Sequence, residues 1–328
     1  MTAALQLLCP ALLLAWIGAG PAGDGGRVRL AERTLRLVRL WRGPAALRVT
    51  EPRLQYMTPA QRRIFLAGLH RRRSRFGDRL LAVSAAMLDV PYAHSPLGEG
   101  AGRQPDPDPL IRFDAVDCTT YIEQCLALAR ARSLPEALGW LRRIRYRDGR
   151  MAYRWRKHFM EAQWIPANQR SGFLTDITAA VAGDRVRWVE KRLDAAVWQR
   201  RRHPEKWPQL TADQIPSGVF RLPIVPLDAV LELQQRIPAG TLVNVVRRDL
   251  ASMPTRVTHQ GLMVDCPAGR CLRHAGRAGY ARVVDEPLAH FVRRNAAYRK
   301  WPVDGFNLQR LLPAGGEPGR TLAPGDGS

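Results

Sequence analysis

The chain has 328 residues, and 51 Lys and Arg residues outnumber 29 Asp and Glu residues to give a formal charge of +22. Its length allows a large hydrophobic core, and its ordinary hydrophobic and aromatic content argues against a disordered or fibrous protein. The charge favours electrostatic contact with anionic surfaces. No zinc-finger spacing, RNA-binding aromatic signature or basic heptad is present, so we expect no nucleic-acid partner.

The two ends of the chain are compositionally distinct from the rest. Residues 5–19 are apolar except for Gln6, and small residues follow, which predicts a signal peptide over 1–23 and an exported protein, periplasmic or extracellular. No Lys or Arg lies near Met1, so an uncleaved anchor is the alternative. No later segment is predicted to cross a membrane. A basic segment follows at 24–50, and a tail rich in glycine and proline at 313–328 is predicted to be disordered.

Helix-start signals occur several times between these ends. Thr58 before Pro59 predicts a helix to about Arg73, and Ser133 before Leu134 and Pro135 predicts another that ends near Tyr146. Further helices are predicted over about Phe76 to Leu88 and over Pro226 to Ile237. Thr241 to Val246 has the β-branched composition of a strand.

A further helix is predicted to begin at a cysteine. Cys118, Tyr121, Ile122, Cys125 and Ala129 follow the spacing of one buried stripe, and Asp117 stands in the N-cap position. A thiol at a helix N-terminus is expected to have a lowered pKa, which favours the nucleophilic thiolate. Cys118 is therefore a candidate nucleophile. The alternative is a small hydrophobic residue that fills the start of the helix.

A histidine in a predicted strand is the candidate partner of this thiol. Val257, His259, Gly261 and Met263 would share one face of the strand, and the glycine leaves room beside the histidine. His259 is thus a candidate general base for Cys118.

The following segment offers both a second histidine and a cysteine pair. A direct pairing of Cys266 with Cys271 would place His274 opposite Met263, too far from His259. A hairpin centred earlier would place His274 opposite Gly261 or His259, within reach of the second ring. We favour this pair of histidines and expect any disulfide to lie in the loop.

Other site chemistries are less well supported by the sequence. His259, His274 and Cys271 offer zinc ligands, but no acidic residue stands at a companion spacing, so we expect no metal and no cofactor. A serine hydrolase is not expected, because the Gly-x-Ser-x-Gly elbow is missing.

The segment from Phe113 to Glu123, Phe-Asp-Ala-Val-Asp-Cys-Thr-Thr-Tyr-Ile-Glu, resembles the nucleophile helix of the NlpC-type, papain-like cell-wall hydrolases. It is most similar to the N-acetylmuramoyl-L-alanine amidase-like branch, and the resemblance extends from about Tyr92 to about Asn295. It implies an α+β fold with a papain-like core over 51–312, in which the Cys118 helix packs on an antiparallel β-sheet. It also implies that His259 is the catalytic base and that His274 orients it.

The function implied by the resemblance is cysteine-dependent hydrolysis of peptidoglycan or muropeptides. The bond would be the N-acetylmuramoyl-L-alanine amide or a stem-peptide bond, cleaved through an acyl-enzyme on Cys118. Two alternatives stay open: a non-catalytic cell-wall-binding module, and a thiol acyl hydrolase or transferase that acts on lipid.

Four residues are candidates for binding the substrate. Tyr92 lies in a turn-rich loop that in the family stands just upstream of the nucleophile, and Asp117 adjoins the thiol. His158 and Trp164 lie in a segment of basic and aromatic residues that matches the family pattern. The alternative is that Tyr92 and Trp164 are packed in the interior.

Overall fold

The computed structural model describes residues 52–313. The predicted signal peptide, the basic segment 24–50 and the predicted tail beyond residue 313 lie outside this range. The α-helices are α1 Pro59–Arg72, α2 Phe76–Ala86, α3 Cys118–Arg130, α4 Leu134–Arg145, α5 Ile165–Arg170, α6 Thr178–Ala182, α7 Ala195–Gln199, α8 Val230–Leu233 and α9 Leu288–Ala297. A π-helical turn, Met160–Trp164, precedes α5. Short 3-10 turns lie at Leu54–Tyr56, Arg147–Gly149, Tyr153–Trp155, Gly183–Arg185, Pro204–Lys206, Ala212–Gln214 and Gln234–Arg236.

The predicted helix starts are confirmed by their capping contacts. The Thr58 hydroxyl accepts a hydrogen bond from the Gln61 amide, and the Ser133 hydroxyl accepts one from the Glu136 amide. The prediction for Pro226 to Ile237 is only partly confirmed, because helix begins at Val230. Pro226 instead ends a strand, since it pairs with Gly305 and is held extended.

The eight strands form an antiparallel sheet, which confirms the α+β class. They are β1 Leu174–Asp176, β2 Arg187–Leu193, β3 Gly218–Pro226, β4 Leu242–Arg247, β5 Val257–Cys266, β6 Gly269–Gly276, β7 Arg282–Pro287 and β8 Val303–Leu311. Their order is β2-β3-β8-β4-β5-β6-β7, and β1 pairs with β8. The β5–β6–β7 end of the sheet carries the two histidines.

Helices cover both faces of the sheet. One core packs α1 to α4 against strand residues that include Leu242, Leu262 and Val264. The other packs α6, α8 and α9 against residues that include Met263 and Phe306. The central strands β4, β5 and β6 are therefore mostly buried, whereas β2 alternates exposed and buried residues and presents one face to solvent.

A β-bulge at Thr258 changes the face of one predicted residue. Val245 of β4 pairs with His259, and the next residue, Val246, pairs with Val257, so Thr258 is the extra residue. Val257 therefore joins the core under α3, whereas Met263 lies in the opposite core. The prediction that Val257 shares a face with Met263 is wrong for this reason.

The hairpin between β5 and β6 contains a disulfide between Cys266 and Cys271. Cys266 pairs with Gly269, and Cys271 pairs with Val264, so the bridge runs diagonally between the strands rather than within the loop. Because Leu262 pairs with Arg273, the same register places His274 opposite Gly261. This is one of the two positions that the sequence analysis gave as favourable for the histidine pair. The disulfide and the histidine pair therefore coexist.

Within residues 52–313, no helix is both long enough and apolar enough to span a bilayer.

Candidate active site

The candidate nucleophile is the first residue of α3, as its sequence predicts. The Asp117 carboxylate accepts hydrogen bonds from the Thr120 amide and hydroxyl, both at 2.8 Å, and the Asp117 amide donates to the Thr120 hydroxyl at 2.9 Å. This reciprocal cap fixes the helix start. Cys118 is partly exposed, whereas Cys125, the other free cysteine of the described residues, is buried.

The pKa of the Cys118 thiol is raised to about 12, and the expected lowering is not met. Burial is the largest cause, and the neighbouring Asp117 carboxylate adds to it. Hydrogen bonds from the Gln260 amide and from Thr119 act in the opposite direction but are weaker. In the resting site Cys118 is a neutral thiol, so a base must remove its proton before it can attack.

The candidate base belongs to a series of hydrogen-bonded side chains. His259 Nε2 lies 2.8 Å from His274 Nδ1, and His274 Nε2 lies 3.0 Å from Glu286 Oε2. The two rings are perpendicular, and both pack against Phe291 of α9. The series thus joins strands β5, β6 and β7.

Glu286 ends this series in a fully buried position. Arg294 donates to its two oxygens at 2.6 and 2.7 Å, and His290 Nδ1 lies 2.8 Å away. Burial alone would raise the pKa of Glu286, but the hydrogen bonds from Arg294 and His274 outweigh it and lower the pKa to about 2. Glu286 is therefore an ionised acceptor at neutral pH.

An ionised Glu286 determines which ring nitrogens carry protons. Because a carboxylate only accepts, His274 Nε2 must donate to Glu286. His274 Nδ1 and His259 Nε2 share one further hydrogen bond, and His259 Nε2 carries its proton whenever His274 Nδ1 is the acceptor. Burial, His274 and Arg294 hold the pKa of His259 well below its ordinary value, so its ring is neutral. With its proton on Nε2, a neutral His259 has an unprotonated Nδ1, which is the form that a general base requires.

Strand β5 brings the amide of Gln260, the residue after His259, to the thiol. The β5–β6 pairing runs from Cys266 to Leu262 and stops before His259, which leaves that edge of β5 unpaired. The Gln260 amide there is directed at the Cys118 sulfur. Among the hydrogen bonds of residues 52–313, none joins Cys118 to His259 directly; a catalytic contact of this kind commonly tightens only when substrate binds.

Gly261 allows β6 to approach closely beside the histidines. A Cβ atom at this position would lie 2.8 Å from Leu272 Cδ1 and 3.0 Å from the Arg273 carbonyl oxygen. The room that the sequence predicted after His259 is therefore occupied by the neighbouring strand.

A small cavity of about 230 Å³ adjoins the start of α3. Asp117 and His158 both line it, together with Thr119, Tyr153 and Trp207. His158 Nε2 donates to the Tyr153 carbonyl oxygen at 2.7 Å, and burial with nearby Arg156 lowers the pKa of its ring to about 3. His158 is thus a neutral wall of this cavity.

Tyr92 lies on another side of the thiol. It forms an isolated bridge with Val116, and its amide donates to the Ala281 carbonyl oxygen at 2.8 Å. Burial raises the pKa of its hydroxyl to about 12, and the nearby Cys118 and Asp117 contribute further. Its hydroxyl therefore stays protonated at neutral pH.

Trp164 is placed differently from the other candidates. It is fully buried, and its indole N–H donates to Glu123 Oε1 at 2.9 Å. Glu123 also pairs with the buried Arg145 at 2.6 Å. The structure therefore places Trp164 in the core, where it supports α3 and offers no surface to a substrate.

The sequence analysis missed Glu286 and its partners. A partial signal was present, since His290 and Arg294 are four residues apart in α9 and therefore share one face of that helix. The same analysis offered Cys271 as a zinc ligand, but the disulfide removes it from that role. Among residues 52–313, no three His, Cys, Asp or Glu side chains are grouped so as to hold a metal ion.

Two solved structures are similar to this chain in fold, with low sequence identity. A crystal structure of a Legionella pneumophila protein is similar with a TM-score of 0.67 and 23% identity, over 77% of this chain and 95% of that one. An N-acetylmuramoyl-L-alanine amidase from Bacteroides uniformis is similar with a TM-score of 0.51 and 25% identity, over 72% of this chain and 98% of that one. No curated protein matches the chain.

A family model described as N-acetylmuramoyl-L-alanine amidase-like matches residues 82–298, a range that includes the thiol, both histidines and Glu286. This match extends over more than half of the chain, and the chain therefore belongs to the N-acetylmuramoyl-L-alanine amidase-like family.

Proposed function

We propose that this chain is a cysteine-dependent amidohydrolase that acts on peptidoglycan, with an NlpC-type, papain-like catalytic core. The observation that carries the proposal is the hydrogen-bonded series His259–His274–Glu286 beside a partly exposed thiol at a helix start. A neutral imidazole with a free Nδ1 complements a thiol of raised pKa, because the thiol has to lose its proton to the base as it attacks.

The proposed reaction is acyl transfer through Cys118. The sulfur attacks the carbonyl carbon of the amide while its proton passes to His259 Nδ1. The C–N bond breaks, and His259 returns the proton to the leaving amine. Water then attacks the thioester, gives its proton to His259 and releases the acid, and the thiol is restored.

The oxyanion formed during attack requires hydrogen-bond donors. The first amides of a helix have no partner inside the helix, so those of α3 are available to other acceptors. The Thr120 amide is already used by Asp117, and the Thr119 amide faces the sulfur. The Cys118 amide is therefore the proposed oxyanion donor, with the Tyr92 hydroxyl as a second candidate.

The scissile bond is proposed from the family. An N-acetylmuramoyl-L-alanine amide joins a glycan to a peptide, and a stem-peptide bond is the second possibility within the same chemistry. We propose that Asp117 and His158, which line the cavity beside the thiol, contact the group next to that bond. Action on the cell wall is consistent with the predicted export of the chain.

Digestion of purified muropeptides, followed by mass spectrometry, tests this proposal. The wild-type protein is expected to release peptides with a free L-alanine N-terminus, or shortened stem peptides, and the masses identify the bond. Cys118→Ala is expected to release neither. Cys125→Ala is the matched control, because it removes the buried thiol of the same helix.

Three outcomes would contradict the proposal. Full activity in Cys118→Ala would exclude a thiol nucleophile. Binding of muropeptides by the wild-type protein without any product would instead indicate a non-catalytic wall-binding module. Release of fatty acid from an acyl-lipid substrate, with no muropeptide product, would assign the thiol to lipid chemistry.

A further inference from the structure

A second and larger cavity lies apart from the thiol. Its volume is about 1270 Å³, and it is bounded by the end of α4, the segment 146–157, α5 and residues 213–216. Neither Cys118 nor the two histidines line it. We call it the basic groove, because its lining includes five cationic side chains, Arg143, Arg147, Arg154, Lys157 and Arg170, and two carboxylates, Asp148 and Asp213.

The arginines of the basic groove differ from their neighbours in sequence. Arg145 and Arg156 point inward, and each forms a salt bridge of 2.6 Å, with Glu123 and Glu99 respectively. By contrast, within residues 52–313 no carboxylate forms a salt bridge with the four arginines that line the groove. These arginines thus have no salt-bridge partner in the described chain, although two carboxylates also line the groove.

Three arginine side chains lie around one aromatic ring at the groove. The guanidinium groups of Arg147, Arg150 and Arg154 lie 4.5, 5.1 and 5.4 Å from the centre of the Trp155 ring. The ring attracts each cation, which partly offsets their mutual repulsion and holds the groups in place before any ligand arrives. Arg147 Nε is buried there and has no hydrogen-bond partner.

Lys157 adds a buried charge to the lining. Its ammonium group donates to the carbonyl oxygens of Arg143 and Ile144 and to Asn168 Oδ1, at 2.8, 2.9 and 3.1 Å. All three acceptors are neutral, and burial lowers the pKa of this lysine to about 8. A ligand with negative charge would therefore stabilise the protonated form of Lys157.

We propose that the basic groove is a binding site for an oxyanion-rich ligand, one that presents several carboxylate or phosphate groups to the guanidinium groups around Trp155. Guanidinium groups bind both kinds of oxyanion through paired hydrogen bonds. The size of the groove allows more than one such group to bind at once. The groove contains none of the reacting groups, although Lys157 lines both it and the smaller cavity beside the thiol.

Calorimetric titration of the full chain with two soluble probes tests the site. One probe is tripolyphosphate, and the other is an oligoglutamate peptide. The test variant is Arg147→Ala/Arg154→Ala, and the matched control is Arg192→Ala/Arg310→Ala, which removes two exposed arginines outside the groove. Because binding is measured without turnover, the result does not depend on the role of Cys118.

The wild-type protein and the control variant are expected to bind at least one probe. The test variant is expected to bind that probe at least about tenfold more weakly, because it lacks charged hydrogen bonds. Weakening for tripolyphosphate alone assigns a phosphate ligand, and weakening for oligoglutamate alone assigns carboxylates. Equal weakening in the control, an unchanged test variant, or no binding of either probe to the wild-type protein overturns the proposal. Thermal unfolding of both variants checks that they remain folded.

Discussion

His259 Nε2 lies 2.8 Å from His274 Nδ1, so Nδ1 is the ring nitrogen of His259 that is not engaged with His274. The two rings meet at right angles across neighbouring strands, so neither can rotate without losing the hydrogen bond. The orientation of the proposed base is thus set by a second ring.

The two histidines are expected to differ in their importance for turnover. His259→Ala should reduce kcat/KM on muropeptides to the level of Cys118→Ala, because a nucleophile and its base act as a unit. His274→Ala should cost less, about tenfold or more, because it removes an orienting hydrogen bond rather than the base. His290→Ala is the control, since His290 contacts Glu286 from an exposed position. A greater loss from His274→Ala than from His259→Ala would contradict the assignment.

Glu286→Gln is expected to alter the pH profile as well as the rate. The amide has no charge and can either donate or accept, so it no longer fixes the protonated nitrogen of His274. Glu286 also favours the protonated form of His259, so its loss should lower the pKa of His259 further. We expect a lower kcat and an acid limb of kcat/KM that moves to lower pH. A reduced melting temperature with unchanged kinetics would indicate a structural role alone.

The same substitution should reduce stability in a pH-dependent manner. The pKa of Glu286 falls from an ordinary 4.5 to about 2 on folding, so its contribution is fully present above about pH 4.5 and is lost as the pH falls through about 2. The shift corresponds to roughly 3 kcal/mol at neutral pH. Urea unfolding should show that the wild-type protein has a larger free energy of unfolding than Glu286→Gln, and that this difference decreases below pH 4.5. Glu232→Gln, which removes an exposed carboxylate, should have the same free energy of unfolding as the wild-type protein over this pH range.

The reactivity of Cys118 is expected to increase with pH. With a pKa raised to about 12, the thiolate fraction near neutral pH is small and grows about tenfold with each pH unit. Iodoacetamide should label Cys118 before Cys125, which is fully buried. Asp117→Asn should accelerate this labelling at a given pH, because asparagine also caps helices but does not raise the thiol pKa by its charge.

Peptide mapping by mass spectrometry measures both rates of labelling. A labelling rate that reaches a plateau at or below about pH 7 would contradict the neutral thiol and indicate a thiolate–imidazolium pair instead. Unchanged labelling in Asp117→Asn would show that burial alone determines the pKa of Cys118.

The net positive charge is expected to promote binding to the acidic cell wall. Binding of the protein to purified sacculi should weaken steeply between low and physiological salt, because the Debye length falls from about 30 Å to about 8 Å. If the basic groove contributes to this binding, Arg147→Ala/Arg154→Ala should make the binding less dependent on salt concentration. Cosedimentation at several salt concentrations measures this effect, and salt-independent binding would indicate that aromatic contacts dominate.

Features that depend on neighbouring residues could be predicted from the sequence. The cap at Asp117, the start of α3 and the helix after Ser133 follow from contacts within four residues. The strand around His259 follows from its composition, and the pairing with His274 follows from the short hairpin between them. The resemblance around Cys118 then agreed with the family that was found.

Features that depend on burial or on distant pairing could not be predicted in the same way. The pKa of Cys118 depends on the packing of other elements around the helix start, which no local pattern reveals. The position of Trp164 in the core depends on its contact with Glu123, 41 residues away. Glu286 reaches His274 only because β7 pairs with β6, and the bulge at Thr258 is visible only once β4 is in place.

The absence of a side chain at Gly261 allows the close spacing of the His259 and His274 rings. Since a methyl group there would meet both Leu272 and the Arg273 carbonyl, an alanine would push β6 away from β5 next to the histidines. The hydrogen bond between the rings has little tolerance for such a displacement, because it weakens steeply beyond about 3.2 Å. A substitution that adds one carbon atom, and touches neither substrate nor thiol, would therefore interrupt the path by which Glu286 sets the proton on His259.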